Sequence, residues 1–437
     1  MNIICSYYMP KRREFIKKAI LAGIAAEFGS SISGWSDLLA HTVQANHGSN
    51  PNKEPSDFWA VLRNEFLVNQ ELTYLNTSTL GRSPKRVIES IVESTYELEE
   101  VVKAGHKKTG LIRNNVASFF NADPKEIAFT ANATAGMNLV AFGLDLKKDD
   151  EIILTKHEHV GGSMPWTSAA NKTGSKITTI DLDLSGETNF DRITSAISDK
   201  TKVVIFSHVT CTNGMVLPAK EIAARCKELG VYCCIDGAQS AGMMPIDVSD
   251  IDADFYIMCG HKWMFGPKGT GILHIAERNL NKLGTDHVGA YSDSNYNQSA
   301  NILELKGEAS RYEFGTRNTP ILCGLNTAID FLEEIGIDKI HTRGIELTSF
   351  LRTKLTEIGG VEILTPGEGP YSASVLTFRI PNRSYQEIQK SLFRKFKIRV
   401  RGIYENKLDA IRVSCACYNN KEQLTYLANA LDSICSE

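Results

Sequence analysis

The chain has 437 residues, 42% of them hydrophobic and 23% charged, with a formal net charge of -3. That length supports two or three domains of about 100–200 residues each, or one large domain with a satellite, and a sizeable core, and the near-balanced charge leaves no broad basic field for a nucleic-acid backbone. The ten Cys follow neither a paired CxxC nor a Cys/His spacing, and the adjacent Cys233 and Cys234 would point to opposite faces of a strand, so they read as buried fillers rather than a disulfide framework, and no metal site is expected.

In chain order, residues 11–18 read KRREFIKK and lead into AILAGIAA: a twin arginine (Arg12, Arg13) and Phe15 precede a short apolar run, and a small-residue pattern ends at Ala45. This resembles a twin-arginine export signal and implies a periplasmic or exported protein; a basic amphipathic helix on a cytoplasmic protein is the alternative. The apolar run falls far short of the roughly 20 residues that cross a bilayer, so no stable membrane span is expected. Met9 is an alternative start that would bring KRR close behind it. Residues 41–55 (HTVQANHGSNPNKEP) are polar, with Asn, Gly, Ser and Pro, as in a linker, so signal and linker together are expected over 1–55.

From Tyr74, short apolar runs alternate with amphipathic stretches: EIAFT then MNLVAFGLDL, EIILT, KVVIFSHV, AKEIAARCKELG and VYCCID. Buried strands alternating with helices predict an α/β fold with a mostly parallel sheet covered on both faces, whose ligands bind just outside the carboxyl ends of the strands. After Thr319 the character changes. Pro320 opens a long helical pattern (ILCGLNTAIDFLEEIG), HTRGIELTSFLRTKLTEIGG reads as a second helix, and SVLTFRI and IRVS supply strands of a smaller α+β unit. Domains are therefore expected over 56–319 and 320–437.

The strand VYCCID ends at Asp236, with Gln239 three residues on, and DFYIMCGHKWMFGPKGTGIL places Lys262 in a turn behind another apolar run. Alone, a strand-end Asp commonly caps a helix and a Lys is usually a solvated charge. Together, each just beyond a strand end, they can converge on one cleft. Cys259, His261, Trp263, Phe265 and Pro267 give the lysine mostly apolar company, which favours the free amine, the form that makes a Schiff base. If the partner is pyridoxal phosphate, a buried carboxylate must keep the ring nitrogen protonated so that the ring serves as an electron sink. Asp236 is of that type, and Gln239 could reach the phenolic oxygen. For the phosphate, EIAFTANATAGMNLVAFGL offers a strand, a small-residue turn and a helix beginning near Gly136, with the hydroxyl of Thr134 beside it. A simple capped turn is the plainer reading of that segment taken alone.

TANATAG, DGAQS, GHKW and GPKGTG, in that order, resemble the class V aminotransferase family of fold-type I pyridoxal phosphate enzymes, which includes cysteine desulfurases, selenocysteine lyases and isopenicillin N epimerase. The likeness runs from about Tyr74 to Asn420. It implies a large domain with a mostly parallel seven-stranded sheet, a smaller C-terminal α+β domain, pyridoxal 5'-phosphate as cofactor, and a homodimer with active sites at the interface. It further implies Lys262 as the catalytic, aldimine-forming lysine, Asp236 as the ring-nitrogen partner, Gln239 near the phenolic oxygen, and Thr134, Ala135 and His261 as cofactor ligands. His159 in EHVGGSMPW would stack on the ring, and Thr316 in EFGTRNTP would reach the phosphate of the neighbouring subunit. Arg412 in IRVSCACYNN would fork the substrate α-carboxylate, which a lysine does less well.

The chain also departs from the family pattern. Cys259 stands three residues before the lysine, where Ser is frequent, and Cys211 in SHVTCTNG stands where Asn is frequent. The segment before Arg412, RVRGIYENKLDAIRVS, lacks the persulfide-forming Cys that desulfurases carry there, and Cys415 and Cys417 lie beyond it on a predicted strand, where packing is the better reading. Desulfurase activity is disfavoured, and GTRNTP and SHVTCTNGMVLP look closer to the epimerase. The expectation is epimerase-like action at the α-carbon of an amino acid or amino-acid-like substrate, with Lys262 as base and Tyr404 or His159 as candidate donors on the opposite face. β-Elimination by a C–S lyase and transamination start from the same proton removal. A cofactor-binding module without turnover fits less well, because lysine, aspartate and arginine are all present, and a nucleotide-binding loop at TANATAG lacks the P-loop Lys and Gly spacing.

Overall fold

The computed structural model describes residues 58–285 and 287–436, so the export signal, the linker and the alternative start at Met9 lie outside the described residues. Residues Leu62–Glu437 form one compact unit. No described helix is long and apolar enough to cross a membrane.

The larger sheet is built from β1 (Ile127–Thr130), β2 (Glu151–Thr155), β3 (Lys176–Ile180), β4 (Thr201–Ser207), β5 (Tyr232–Asp236), β6 (Phe255–Cys259) and β7 (Gly271–Ile275). Its order is β1-β7-β6-β5-β4-β2-β3. All pairings are parallel except those of β7, which is antiparallel to both β1 and β6. Only β7 therefore runs against the rest, and Thr130, Thr155, Ser207, Asp236 and Cys259 all end on one edge. The central strands are buried along their length, as a sheet covered on both faces requires.

Around this sheet lie α1 (Lys85–Val101), α2 (His106–Phe119), α3 (Ala133–Gly143), α4 (Val160–Thr173) and α5 (Ala219–Glu228). Met137 and Val140 of α3 and Trp166 of α4 form one core with Ile152, Ile205, Ile257 and Leu273 of the sheet, and each such side chain contributes about 1.5–3 kcal/mol on burial. Helix α3 starts at Ala133 rather than near Gly136, because Asn132, in extended conformation, caps it by accepting the Ala135 amide at 2.9 Å. Gly136 instead lies inside the helix, where a Cβ would come within 2.9 Å of the Ile257 side chain. The glycine lets the helix approach the sheet.

The smaller sheet, β8 (Glu362–Ile363), β9 (Val375–Arg379), β10 (Arg401–Ile403) and β11 (Ala410–Ser414), is antiparallel throughout, in the order β8-β9-β11-β10. Helix α6 (Thr319–Ile335), with Pro320 in its first turn, packs on α1 and α2, and α7 (Ile337–Thr356), α8 (Tyr385–Phe396) and α9 (Lys421–Ser436) cluster with the smaller sheet. Leu351, Leu376, Phe378, Val413 and Leu427 form its core. Strand β11 stops at Ser414, so Cys415 and Cys417 follow the strand rather than lie on it; both are buried, in keeping with a packing role. The nine described Cys are free, and most are buried. Thr73–Tyr74 pairs in parallel with Ile398–Arg399, and the Ser414 amide donates to the Leu75 carbonyl at 2.9 Å. These contacts fix the segment before α1 beside the smaller sheet and deliver Ser78 and Thr79 to the site.

Candidate active site

At the carboxyl edge of the larger sheet the turns leaving β1, β2, β5 and β6 enclose a cavity of about 310 Å³. Thr134, His159, Asp236, Gln239, His261 and Lys262, each singled out from the sequence, all line it. Larger hollows of about 450 and 550 Å³ lie elsewhere, and neither is lined by a lysine together with a buried carboxylate.

Lys262 sits in the turn after β6. The Gly260 amide donates to the Thr270 carbonyl at 3.0 Å and the Gly266 amide to the Gly260 carbonyl at 2.7 Å, which closes the turn. Asp236 ends β5 and is 6% exposed; its Oδ1 accepts the Ala238 amide at 2.8 Å. Gly162 of α4 faces its other oxygen, so closely that a Cβ would lie 3.1 Å from Oδ2. Burial raises the Asp236 carboxyl above the usual carboxylate range and the Lys262 charge works against that rise, so the group gains from a cation brought into the cavity. A protonated ring nitrogen is such a cation. The Gln239 carboxamide is held at both ends, its Nε2 donating to the Ser78 carbonyl and its Oε1 accepting from Trp263 Nε1, each at 2.9 Å. One N–H remains for a phenolic oxygen.

His159 caps α4, and its Nδ1 accepts the Gly161 amide at 3.0 Å, which puts the ring proton on Nε2. Burial, then the Lys262 charge, pulls its pKa down to about 4. The ring is therefore neutral near pH 7 and suited to lie against another flat ring. At the amino end of α3, Asn132 takes the Ala135 and Gly136 amides and leaves those of Ala133 and Thr134 for an anion at the positive end of the helix dipole. A Cβ on Gly161 would come 2.5 Å from Thr134 Oγ1, so only glycine leaves that hydroxyl in place. His261 Nδ1 is buried without a hydrogen-bond partner, an orphan that a phosphate oxygen would answer. An orphaned nitrogen and a helix terminus at one end and a buried carboxylate at the other suit pyridoxal phosphate.

Ala135, Thr316 and Arg412 do not line the cavity. The Ala135 amide is taken by the cap, and Thr316 is exposed on the segment leading into α6. Arg412 is 1% exposed; its Nη1 donates to the Cys211 carbonyl at 2.5 Å, and its Nη2 to Thr79 Oγ1 at 2.9 Å and more weakly to Asn76 Oδ1 at 3.5 Å. Its Nε has no partner. Burial, then the neighbouring Arg401, lowers its pKa to about 10. The two unexpected cysteines are neutral groups, since burial pushes the Cys211 and Cys259 thiols up to about 11.

Arg401 and Glu158 were not singled out from the sequence. Arg401 lines the cavity and pairs with Glu405. The buried Glu158 carboxylate accepts from Thr155 Oγ1 at 2.6 Å, Ser207 Oγ at 2.7 Å and the Ser207 amide at 3.1 Å. Ser207 is the register partner of Asp236, and burial holds the Glu158 carboxyl up at about 7. The spacing RVR ahead of IRV was the available signal for Arg401; for Glu158 it was the EH pair ahead of α4.

Residues 74–427 match the model of the aminotransferase class-V family. The chain is 27% identical over 399 residues to isopenicillin N epimerase of Streptomyces clavuligerus, covering 87% of this chain and 99% of the relative. It is 32% identical over 393 residues to a probable cysteine desulfurase of Halalkalibacterium halodurans, covering 83% and 92%. Among solved structures, a C-DES mutant with glycine covalently linked to its PLP cofactor is similar with a TM-score of 0.78 and 28% identity, over 85% of this chain and 98% of that one.

Proposed function

Because the chain belongs to the class-V aminotransferase family and its cofactor is pyridoxal 5'-phosphate, we propose that it removes and returns the α-proton of an amino acid in the manner of an epimerase. The observation that carries this reading is the meeting of Lys262, Asp236 and His159 around one cavity, with Arg412, whose Nε has no partner, bonded to Thr79 of the cavity wall. When bound, the cofactor supplies an electron sink for the electrons left on the α-carbon. The protein's own groups do the rest. Asp236 holds a proton at the ring nitrogen, His159 covers the ring and excludes water, and Arg412 orients the substrate carboxylate. The Lys262 amine takes the proton from the α-carbon and, for inversion, a donor on the other face returns one; Tyr404, a candidate from the sequence, is 54% exposed and does not line the cavity, and His159, which does, is neutral near pH 7.

Two features support this over a desulfurase. Residues 404–409, between β10 and β11, contain no Cys, and the nearby thiols of Cys211 and Cys259 are buried and protonated, whereas sulfur transfer needs an accessible thiolate. We also read the protein as a homodimer, supported by the exposure of Thr316 beside Phe314, itself 42% exposed. We read it as exported through Arg12 and Arg13; lysines at both positions should leave it in the cytoplasm.

The deciding measurement is proton exchange at the α-carbon in deuterated water, followed by product chirality. Exchange with inversion is expected. Formation of a keto acid, or release of sulfide, would replace the reading with transamination or C–S cleavage.

A further inference from the structure

The two guanidiniums beside the cavity are not equivalent. Arg401 and Arg412 are register partners on the adjacent antiparallel strands β10 and β11, which places their side chains on the same face of the smaller sheet. Arg401 has its own counter-ion in Glu405, and the pair is largely buried, the two side chains being 17% and 5% exposed. The other Glu405 oxygen accepts the Tyr404 amide at 3.2 Å. The loop that turns Glu405 inward holds Asn406, Lys407 and Asp409 at φ 49°, 54° and 47°, left-handed values that Asn and Asp adopt readily and a lysine uncommonly. Asn406 Nδ2 anchors the loop, 3.4 Å from Nε2 of the buried His157. Arg412, by contrast, donates to a carbonyl, a hydroxyl and a carboxamide, all neutral, and keeps an orphaned Nε. One carboxylate stands against two guanidiniums.

We propose that the substrates are amino acids with a single carboxylate, carrying uncharged side chains, and that Glu405 is the specificity residue that denies Arg401 to a second carboxylate. The inference rests on the amino-acid reading above and adds to it the substrate class. The substrate α-carboxylate completes the charge count at Arg412, and an acidic side chain then meets a guanidinium already answered and a buried like charge. A neutral side chain meets a balanced pair. Glu405→Gln keeps the size and shape of the side chain while releasing Arg401.

The test titrates the holoenzyme with matched amino acids, 2-aminobutyrate against aspartate and norvaline against glutamate, both enantiomers of each, reading apparent Kd from the change in cofactor absorbance. The neutral member of each pair is expected to bind at least about tenfold more tightly, and Glu405→Gln to shrink or reverse that ratio. Equal or tighter binding of the acidic members by the wild-type protein overturns the inference, as does an unchanged ratio in folded Glu405→Gln. Where the variant fails to fold, the wild-type ratio decides. Absence of a spectral response to every amino acid, in protein whose cofactor absorbance is intact, would instead defeat the amino-acid reading itself, a failure distinct from a wrong preference.

Discussion

Gly81 and Lys262 meet backbone to backbone: a Cβ built on Gly81 would lie 1.8 Å from the Lys262 carbonyl oxygen, and the Gly81 amide donates to the His261 carbonyl at 2.7 Å. The segment before α1 is therefore a wall of the lysine turn, and no side chain fits between them. Gly81→Ala must push the turn by more than an ångström, a displacement that costs on the order of 10²-fold in rate when it moves a reacting group. The expected outcome is a protein that folds with a lowered Tm and has lost most of its cofactor absorbance and activity. Gly110→Ala is the matched control. It is an exposed position of helix α2 with nothing within 4 Å of its Cβ position, and should gain about 1 kcal/mol from helix propensity alone. Full activity in Gly81→Ala would show that the contact does not position Lys262.

Glu158 gives a pH signature that can be isolated by difference. Its carboxyl is raised from 4.5 to about 7 in the folded protein by burial, against the opposing hydrogen bonds from Thr155 and Ser207. A carboxyl with a raised folded pKa binds its proton more tightly when folded, so stability is greatest below pH 4.5 and falls as the pH climbs through 7. The full loss is about 3 kcal/mol. His159, His208 and His261, each lowered to about 4, act the other way, losing stability as pH falls from 6.5 towards 4. They are common to wild type and Glu158→Gln and cancel in the difference. Urea unfolding of the cofactor-free protein at pH 4.5 and pH 8 should show Glu158→Gln gaining on wild type by up to about 3 kcal/mol at the higher pH. A pH-independent difference would mean that folding leaves the Glu158 pKa unshifted.

What was legible in the sequence follows from the range of the forces involved. Asp236 and Lys262 could be found because continuous apolar runs mark buried parallel strands, and in such sheets chemistry gathers where the runs stop. The start of α3 was misplaced because ANATAG contains several small and polar residues able to begin a helix, and only the cap geometry shows that Asn132 does so. Arg401 was missed because a charged residue alternating with apolar ones on a short edge strand looks the same whether it faces water or a cavity. Glu158 is buried by Ser207, 49 positions away, and Ser78 is bonded to Ser414 across 336 positions. Local patterning does not register contacts of that range.

Arg412→Lys separates binding from chemistry. The guanidinium spans the Cys211 carbonyl, Thr79 Oγ1 and Asn76 Oδ1 and still has Nε to offer, whereas an ammonium cannot span the same acceptors and present a planar fork as well. KM for the best substrate should rise roughly 10- to 100-fold with a smaller change in kcat, since the carboxylate contact is made equally in the ground and transition states. The cofactor absorbance should be unchanged. A loss of kcat with KM preserved would move Arg412 from substrate binding to catalysis.

Asp236→Asn should have opposite effects in the empty and loaded protein. In the cofactor-free protein the carboxylate is buried with one amide donor, and burial, opposed by the Lys262 charge, raises its pKa. Folding therefore becomes less favourable as pH rises through that raised value, and a neutral Asn, which keeps the Ala238 contact through its carbonyl, escapes the cost. The empty variant should melt at a higher temperature than wild type at pH 8, with the gap closing as the pH falls. In the loaded protein the same charge holds the ring-nitrogen proton, so Asn should weaken cofactor retention and lower kcat by about 10²- to 10³-fold. Paired melting curves with and without pyridoxal phosphate read both signs in one experiment. A carboxylate that served only to cap the Ala238 turn would be replaced by Asn with little change in either state. One that matters through its charge gives a crossing, with the variant more stable empty and less stabilised by cofactor, and only the crossing is consistent with Asp236 acting on the ring.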